Sequence, residues 1–190
     1  MSEASIQGLQ KQFGESILDT VEFREEHTAI VEQGKAREIL QFCRDELGYD
    51  YLIDICSLDY LGEEPRWEMV YELYSLGNGK REHLRIRYKL PEDQKADSVS
   101  DLWPTAEWLE REVYDMMGIE FNGLGDHRRI LMWEGYPYHP LRKDFPLAGR
   151  PTEMPDVAFT KRTPLAGGPF VTAPTSDSTV HREPRSREMD

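Results

Sequence analysis

A chain of 190 residues with 38% hydrophobic side chains has the material for one core of ordinary size. Its formal charge of −13, from 36 acidic against 23 basic side chains, argues against a general affinity for phosphate backbones. Two cysteines, Cys43 and Cys56, exclude a disulfide framework and any four-cysteine zinc or iron–sulfur site within this chain.

No apolar run approaches the ~18 residues of a membrane helix, so direct membrane insertion is not expected. The opening MSEASIQGLQ has neither the basic-then-apolar pattern of a signal peptide nor an arginine-rich transit pattern. A bacterial cytoplasmic setting is expected, with a partner able to hold the chain at a membrane. Nine of the twelve prolines fall between Pro137 and Pro184. From Pro146 onward there are 6 basic and 6 acidic residues, so the net charge belongs to the part before. These shifts divide the chain into a folded part over 1–123, an extended arm over 124–147 and a proline-rich tail over 148–190.

In chain order, a short helix is expected over 3–13. Ile17, Asp19, Val21 and Phe23 alternate with mostly polar neighbours, and an apolar run follows at 27–31, which together predict a strand pair. Over 33–47 the stripe Ala36, Ile39, Leu40, Cys43 and Leu47 has helical spacing, and Gly48 stands where a C-terminal cap belongs.

Three strands follow. YLIDICSLDY (51–60) is a rather apolar run, as a central strand should be. RWEMVYELYS places Trp67, Met69, Tyr71 and Leu73 on one face and Glu68 and Glu72 on the other. HLRIRYKL places Leu84, Ile86, Tyr88 and Leu90 on one face and Arg85, Arg87 and Lys89 on the other, with LGNGK as the hairpin loop between. The two charged faces are expected to pair across the strands rather than to form a basic patch.

A last helix is expected over 98–117, with Leu102, Ala106, Leu109, Val113 and Met116 on its apolar face. Glu107, Arg111 and Asp115 are spaced by four and predict an acid–base–acid ladder; Pro104 would sit early in the helix and Gly118 would end it. The order α-β-β-α-β-β-β-α predicts a two-layer α+β domain with a mixed or antiparallel sheet.

The charged stretch EREVYDMMGIEFNG (110–123) admits three chemistries. A carboxylate-bridged metal site needs a Glu-x-x-His pair, and neither EWLE nor EREV supplies the histidine. An acid–base pair built on Glu110 or Glu112 would suit hydrolysis, but no glycine-rich loop or nucleophile elbow accompanies it. Ion pairs that fix the helix end and the chain leaving it agree best with the spacing. Beyond it, DHRRILMWEGYPYHPLRKDFP interleaves Arg128, Arg129, Arg142 and Lys143 with Trp133, Tyr136, Tyr138 and Phe145. That mixture suits an arm laid on a protein partner better than a nucleic-acid site in so acidic a chain. His127 and His139 lack cysteine neighbours and are expected at the surface or an interface.

EREVYDMMGIEFNG, then RRIL, then HPLRKDFPL resembles the signature region of the 30 kDa (C) subunit of respiratory complex I, the proton-pumping NADH–quinone oxidoreductase. The resemblance assigns Glu110, Arg111, Glu112 and Asp115 to the family's acidic helix motif. It assigns Arg128, Arg129, His139, Pro140, Arg142, Lys143, Asp144 and Phe145 to the arm.

It implies a peripheral subunit on the cytoplasmic side of the bacterial inner membrane, packed against the D (49 kDa) subunit near the B and I subunits. It further implies no catalytic residue, metal or cofactor in this chain, in a complex that uses FMN, iron–sulfur clusters, NADH and quinone. The equivalent subunit of a membrane-bound hydrogenase or of another-donor quinone oxidoreductase is the nearest alternative, and a free-standing carboxylate hydrolase a distant one. Two departures stand out. Leu124-Gly125 replaces the family's His-Pro pair, and the tail after Gly149 differs from the usual form. Within that tail Val157, Phe159, Leu165, Phe170 and Val171 could dock on a partner, and the composition of 175–190 predicts disorder.

Overall fold

A computed structural model describes residues 2–77 and 81–146. The hairpin loop residues 78–80 and the tail from 147 lie outside them. Residues up to Lys143 form one compact unit and a second begins at Asp144.

The chain begins with helix α1 (Ser2–Phe13), whose Ile6 and Leu9 are buried. Strands β1 (Ile17–Phe23) and β2 (Glu26–Val31) form an antiparallel pair turned through Arg24 and Glu25, both at positive φ. Helix α2 (Gln33–Asp45) buries Ala36, Ile39, Leu40 and Cys43, as their spacing predicts. It stops two residues short of Leu47. The amides of Leu47 and Tyr49 turn back to the carbonyls of Phe42 and Cys43, with Gly48 at φ 79°. Glycine takes that left-handed conformation without a Cβ penalty.

Strands β3 (Tyr51–Asp59), β4 (Trp67–Ser75) and β5 (Glu82–Leu90) complete a five-stranded sheet of order β1-β2-β5-β4-β3. The β2–β5 pair is parallel and the rest antiparallel, so the sheet is mixed. Alternate residues of β4 (Trp67, Met69, Tyr71, Leu73) and β5 (Leu84, Ile86, Tyr88, Leu90) join the apolar faces of the helices in one core. The α+β architecture read from the sequence is the one observed.

On the other face the expected charge pairing is present. Arg87 bonds Glu68 at 2.8 Å, and Arg85 and His83 both contact Glu72. Glu68 is buried, but Arg87, Glu72, Arg85 and His83 are only partly so, and the worth of these pairs is modest and salt-sensitive. Glu72→Gln is expected to lower stability by about 1 kcal/mol, measured as a urea midpoint, with the difference shrinking in high salt.

Two readings are corrected. Strand β3 is an outer strand rather than a central one, and Tyr51, Ile53 and Leu58 on it are exposed. The last helix, α3 (Ala106–Met117), starts eight residues later than the expected 98. Pro104 therefore precedes it. The segment between holds β6 (Ala96–Asp97), which pairs in parallel with β7 (Phe121–Asn122) after the helix. The carbonyl of Val99 then accepts the amides of Leu102 and Trp103 in a turn, while the Val99 amide goes to the Glu110 side chain. Buried Trp103 donates its indole N–H to the Tyr49 carbonyl, which holds that turn in the core.

Candidate functional site

A helix ends with carbonyls that have no partner in the helix, and the negative end of its dipole favours cations there. At the end of α3 both needs are met by the chain that follows. Leu141 donates its amide to the Met116 carbonyl at 3.1 Å, and Arg142 donates through Nε to the Met117 carbonyl. The Asp115 carbonyl accepts from Arg129 Nη1 and from His139 Nδ1, each at 3.0 Å. His139 therefore carries its proton on Nδ1. Burial, then the nearby Arg142 and Arg129 charges, push its pKa below the ordinary histidine value and keep the ring neutral.

The Asp115 side chain is the centre of this arrangement and is fully buried. Its Oδ2 accepts the consecutive amides of Ile130, Leu131 and Met132 at 3.0, 2.7 and 2.8 Å, and its Oδ1 takes Arg129 Nη1 at 2.6 Å. One carboxylate thus gathers four donors from RRILM.

Arg111, one turn earlier, points to the same segment. It donates to the carbonyls of Arg128 (2.9 Å) and Arg129 (3.4 Å), lies 3.6 Å from Asp126, and stacks on Trp108. Arg111 therefore pairs beyond the helix, and the ladder along it is replaced by a clamp on the strap that follows. Ion pairs and hydrogen bonds together fix the helix end to the chain that leaves it.

Gly118, at φ 75°, donates its amide to Tyr114 in the C-terminal cap. A side chain there would overlap the Arg142 guanidinium and come within 2.7 Å of the His139 ring. Gly118→Ala is expected to cost about 2 kcal/mol from the left-handed backbone and the overlap together. Thermal unfolding would check it, and an unchanged midpoint would show that the strap yields freely.

The remaining motif residues separate by role. Glu110 is fully buried on α3. Its Oε1 accepts the Val99 amide at 2.7 Å and its Oε2 has no partner among the described residues, and burial pushes its pKa up to about 7. Glu112 is exposed. Arg128 is held by Asp126 at 2.7 Å and otherwise faces solvent. Pro140 lies between His139 and Leu141 and is half-buried. Lys143 is exposed, and its amide binds Asp59, which Arg66 holds in a buried bidentate pair. Asp144 and Phe145 belong to the second unit.

Asp126, Tyr114 and the Asp59–Arg66 pair had no sequence signal strong enough to single them out. Asp126 is two residues from the arginine it binds, whereas Asp59 meets Lys143 across 84 positions. Leu124 is buried in the core, and His127 contacts the Phe121 carbonyl at 3.2 Å with its ring edge-on to Tyr114. The Leu-Gly departure thus fills a packing position.

These observations define a class: a two-layer α+β domain whose charged helix end clamps its own C-terminal strap. Comparison with known proteins makes the assignment specific. The profile of the family described as respiratory-chain NADH dehydrogenase, 30 Kd subunit, matches residues 29–151. The C subunit of the NADH-quinone oxidoreductase of Geobacter sulfurreducens is 47% identical over 143 residues, covering 74% of this chain and 87% of that one. Its counterpart from Roseiflexus castenholzii is 40% identical over 154 residues, covering 80% and 85%.

Among solved structures, a chain of the membrane-bound sulfane sulfur reductase, an archaeal respiratory membrane complex, shares the fold with a TM-score of 0.64. That match has 23% identity and covers 77% of this chain and 86% of the other. The chain belongs to the 30 kDa subunit family of respiratory-chain NADH dehydrogenase. No helix among the described residues is long and apolar enough to cross a membrane.

Proposed function

We propose that the chain is a structural subunit of the hydrophilic arm of a membrane NADH–quinone oxidoreductase, peripheral on the cytoplasmic side. It packs against the 49 kDa (D) subunit near the B and I subunits and carries no redox group of its own. FMN, the iron–sulfur clusters, NADH and quinone are handled by its neighbours. The family assignment supports this reading, and one observation carries it. The charged motif, which spacing alone could have assigned to acid–base chemistry, is engaged in holding the chain's own backbone through Asp115, Arg111 and Arg129.

A domain so fixed offers its exposed side chains, Glu112, Arg128, Leu131, Leu141 and Lys143, at set positions. Electron tunnelling depends steeply on distance, so a rigid non-redox subunit can govern turnover by fixing its neighbours. Purification of the tagged chain from native membranes in mild detergent tests this. Recovery of the D, B and NADH-binding subunits in equal amounts is expected. Recovery of the chain alone, or with hydrogenase-type partners, would overturn the assignment.

A further inference from the structure

A groove of about 540 Å³ runs between β3 and α3. Seven consecutive residues, 54–60, line it, so the outer edge of β3 borders it. Its apolar wall comes from Val113, Met116 and Met117 on α3 and from Leu141 on the strap. Leu58 and Leu141 are exposed by 41% and 62%.

We infer that the open edge of β3 receives an extended strand of a neighbouring subunit, one with apolar side chains at alternate positions and at least one lysine or arginine. This rests on the proposed function. An outer strand presents unpaired backbone groups, and proteins usually blunt such an edge with charge, proline or a bulge. The irregularity in β3 lies between Leu52 and Asp54, and from Asp54 to Asp59 the register with β4 is unbroken. The apolar composition of β3, which reads as an interior strand, is what a strand completed by another chain requires.

Charge selects the occupant. Asp59 is neutralised by Arg66, and of the other charges that border the groove Asp54 and Glu112, which form no ion pair among the described residues, outnumber Lys143. A second copy of β3 would set these carboxylates against themselves. The chain's own residues beyond 146 are neutral on balance and interrupted by six prolines, each without an amide for a ladder. A basic strand from a neighbour satisfies both edge and charge.

The test uses the intact complex with p-benzoylphenylalanine in place of Leu58 or, separately, Leu141, followed by irradiation and mass spectrometry. Both positions are expected to cross-link to one short stretch of a single neighbouring subunit, with alternating apolar residues and a lysine or arginine. Hydrogen exchange in the same complex should then protect every amide from 54 to 59.

Adducts to residues 147–190, to a second copy or to a helix, or no adduct in an intact complex, would overturn the inference alone. So would rapid exchange at alternate amides of that stretch. A chain that purifies without neighbours would instead overturn the proposed function, and this inference with it.

Discussion

Asp115→Asn is expected to destabilise the chain by about 3–5 kcal/mol, the range for breaking a buried charge pair from one side, and to loosen the strap from Arg128 onward. The carboxylate accepts three amides on one oxygen and a guanidinium on the other. An amide side chain offers one accepting oxygen and an NH₂ group that can only donate. Whichever way it turns, either the three amides or Arg129 face a donor, and Arg129 loses its counter-charge in a site that is 12% exposed.

The pH dependence has a definite sign. Burial alone would raise the Asp115 pKa, but the amides of Met132, Leu131 and Ile130 and the Arg129 guanidinium outweigh it and hold the carboxyl below its ordinary value. A depressed folded pKa means the clamp contributes fully above the unfolded value of about 3.9 and is lost as pH falls below it. The wild type should therefore release the strap only in acid, whereas the asparagine variant should lack that acid limb. Urea unfolding and trypsin cleavage at Arg128 and Arg129 would measure both effects. A variant as stable and as resistant to trypsin as the wild type would mean that the clamp does not hold the strap.

Where a stretch had one dominant period, the sequence was enough. The stripe Ala36, Ile39, Leu40, Cys43 is the buried face of α2, and Glu68 and Glu72 meet arginines across the hairpin. Two kinds of information were absent. Strand order cannot be read from composition, so β3 looked central when its apolar residues serve an outer edge. Side-chain reach is equally invisible. Helical spacing continues back to Leu102, yet the buried Glu110 carboxylate captures the Val99 amide and keeps that segment out of the helix.

At the site, the spacing of Glu107, Arg111 and Asp115 suggested pairs within α3. The stronger partners lie 14 to 18 residues further on, most of them backbone groups that carry no sequence signal. Family resemblance singled out Arg129, His139 and Arg142, and the geometry gives each a role toward its own chain.

Glu110→Gln is expected to change the slope of stability against pH. Burial raises the Glu110 carboxyl to about 7, with the Val99 amide opposing it. A carboxyl with a raised folded pKa holds its proton in the folded chain while the unfolded chain releases it. Stability then falls as pH rises from about 4.5 to about 7, by up to about 3 kcal/mol, and stays at the lower level above. Glutamine keeps an oxygen for the Val99 amide and cannot ionise, so this component vanishes. The wild-type and variant curves should converge below pH ~4.5 and separate toward pH ~8 in the variant's favour, apart from any constant offset caused by the new NH₂ group. Other titrating groups are common to both proteins and cancel in the difference. Parallel curves across that range would show that Glu110 is ionised throughout despite its burial. The same variant bears on the hydrolase alternative, because a general base must reach its substrate and Glu110 is 0% exposed. A carboxyl so enclosed orders residues 98–105 against α3, and the glutamine variant should leave that order intact.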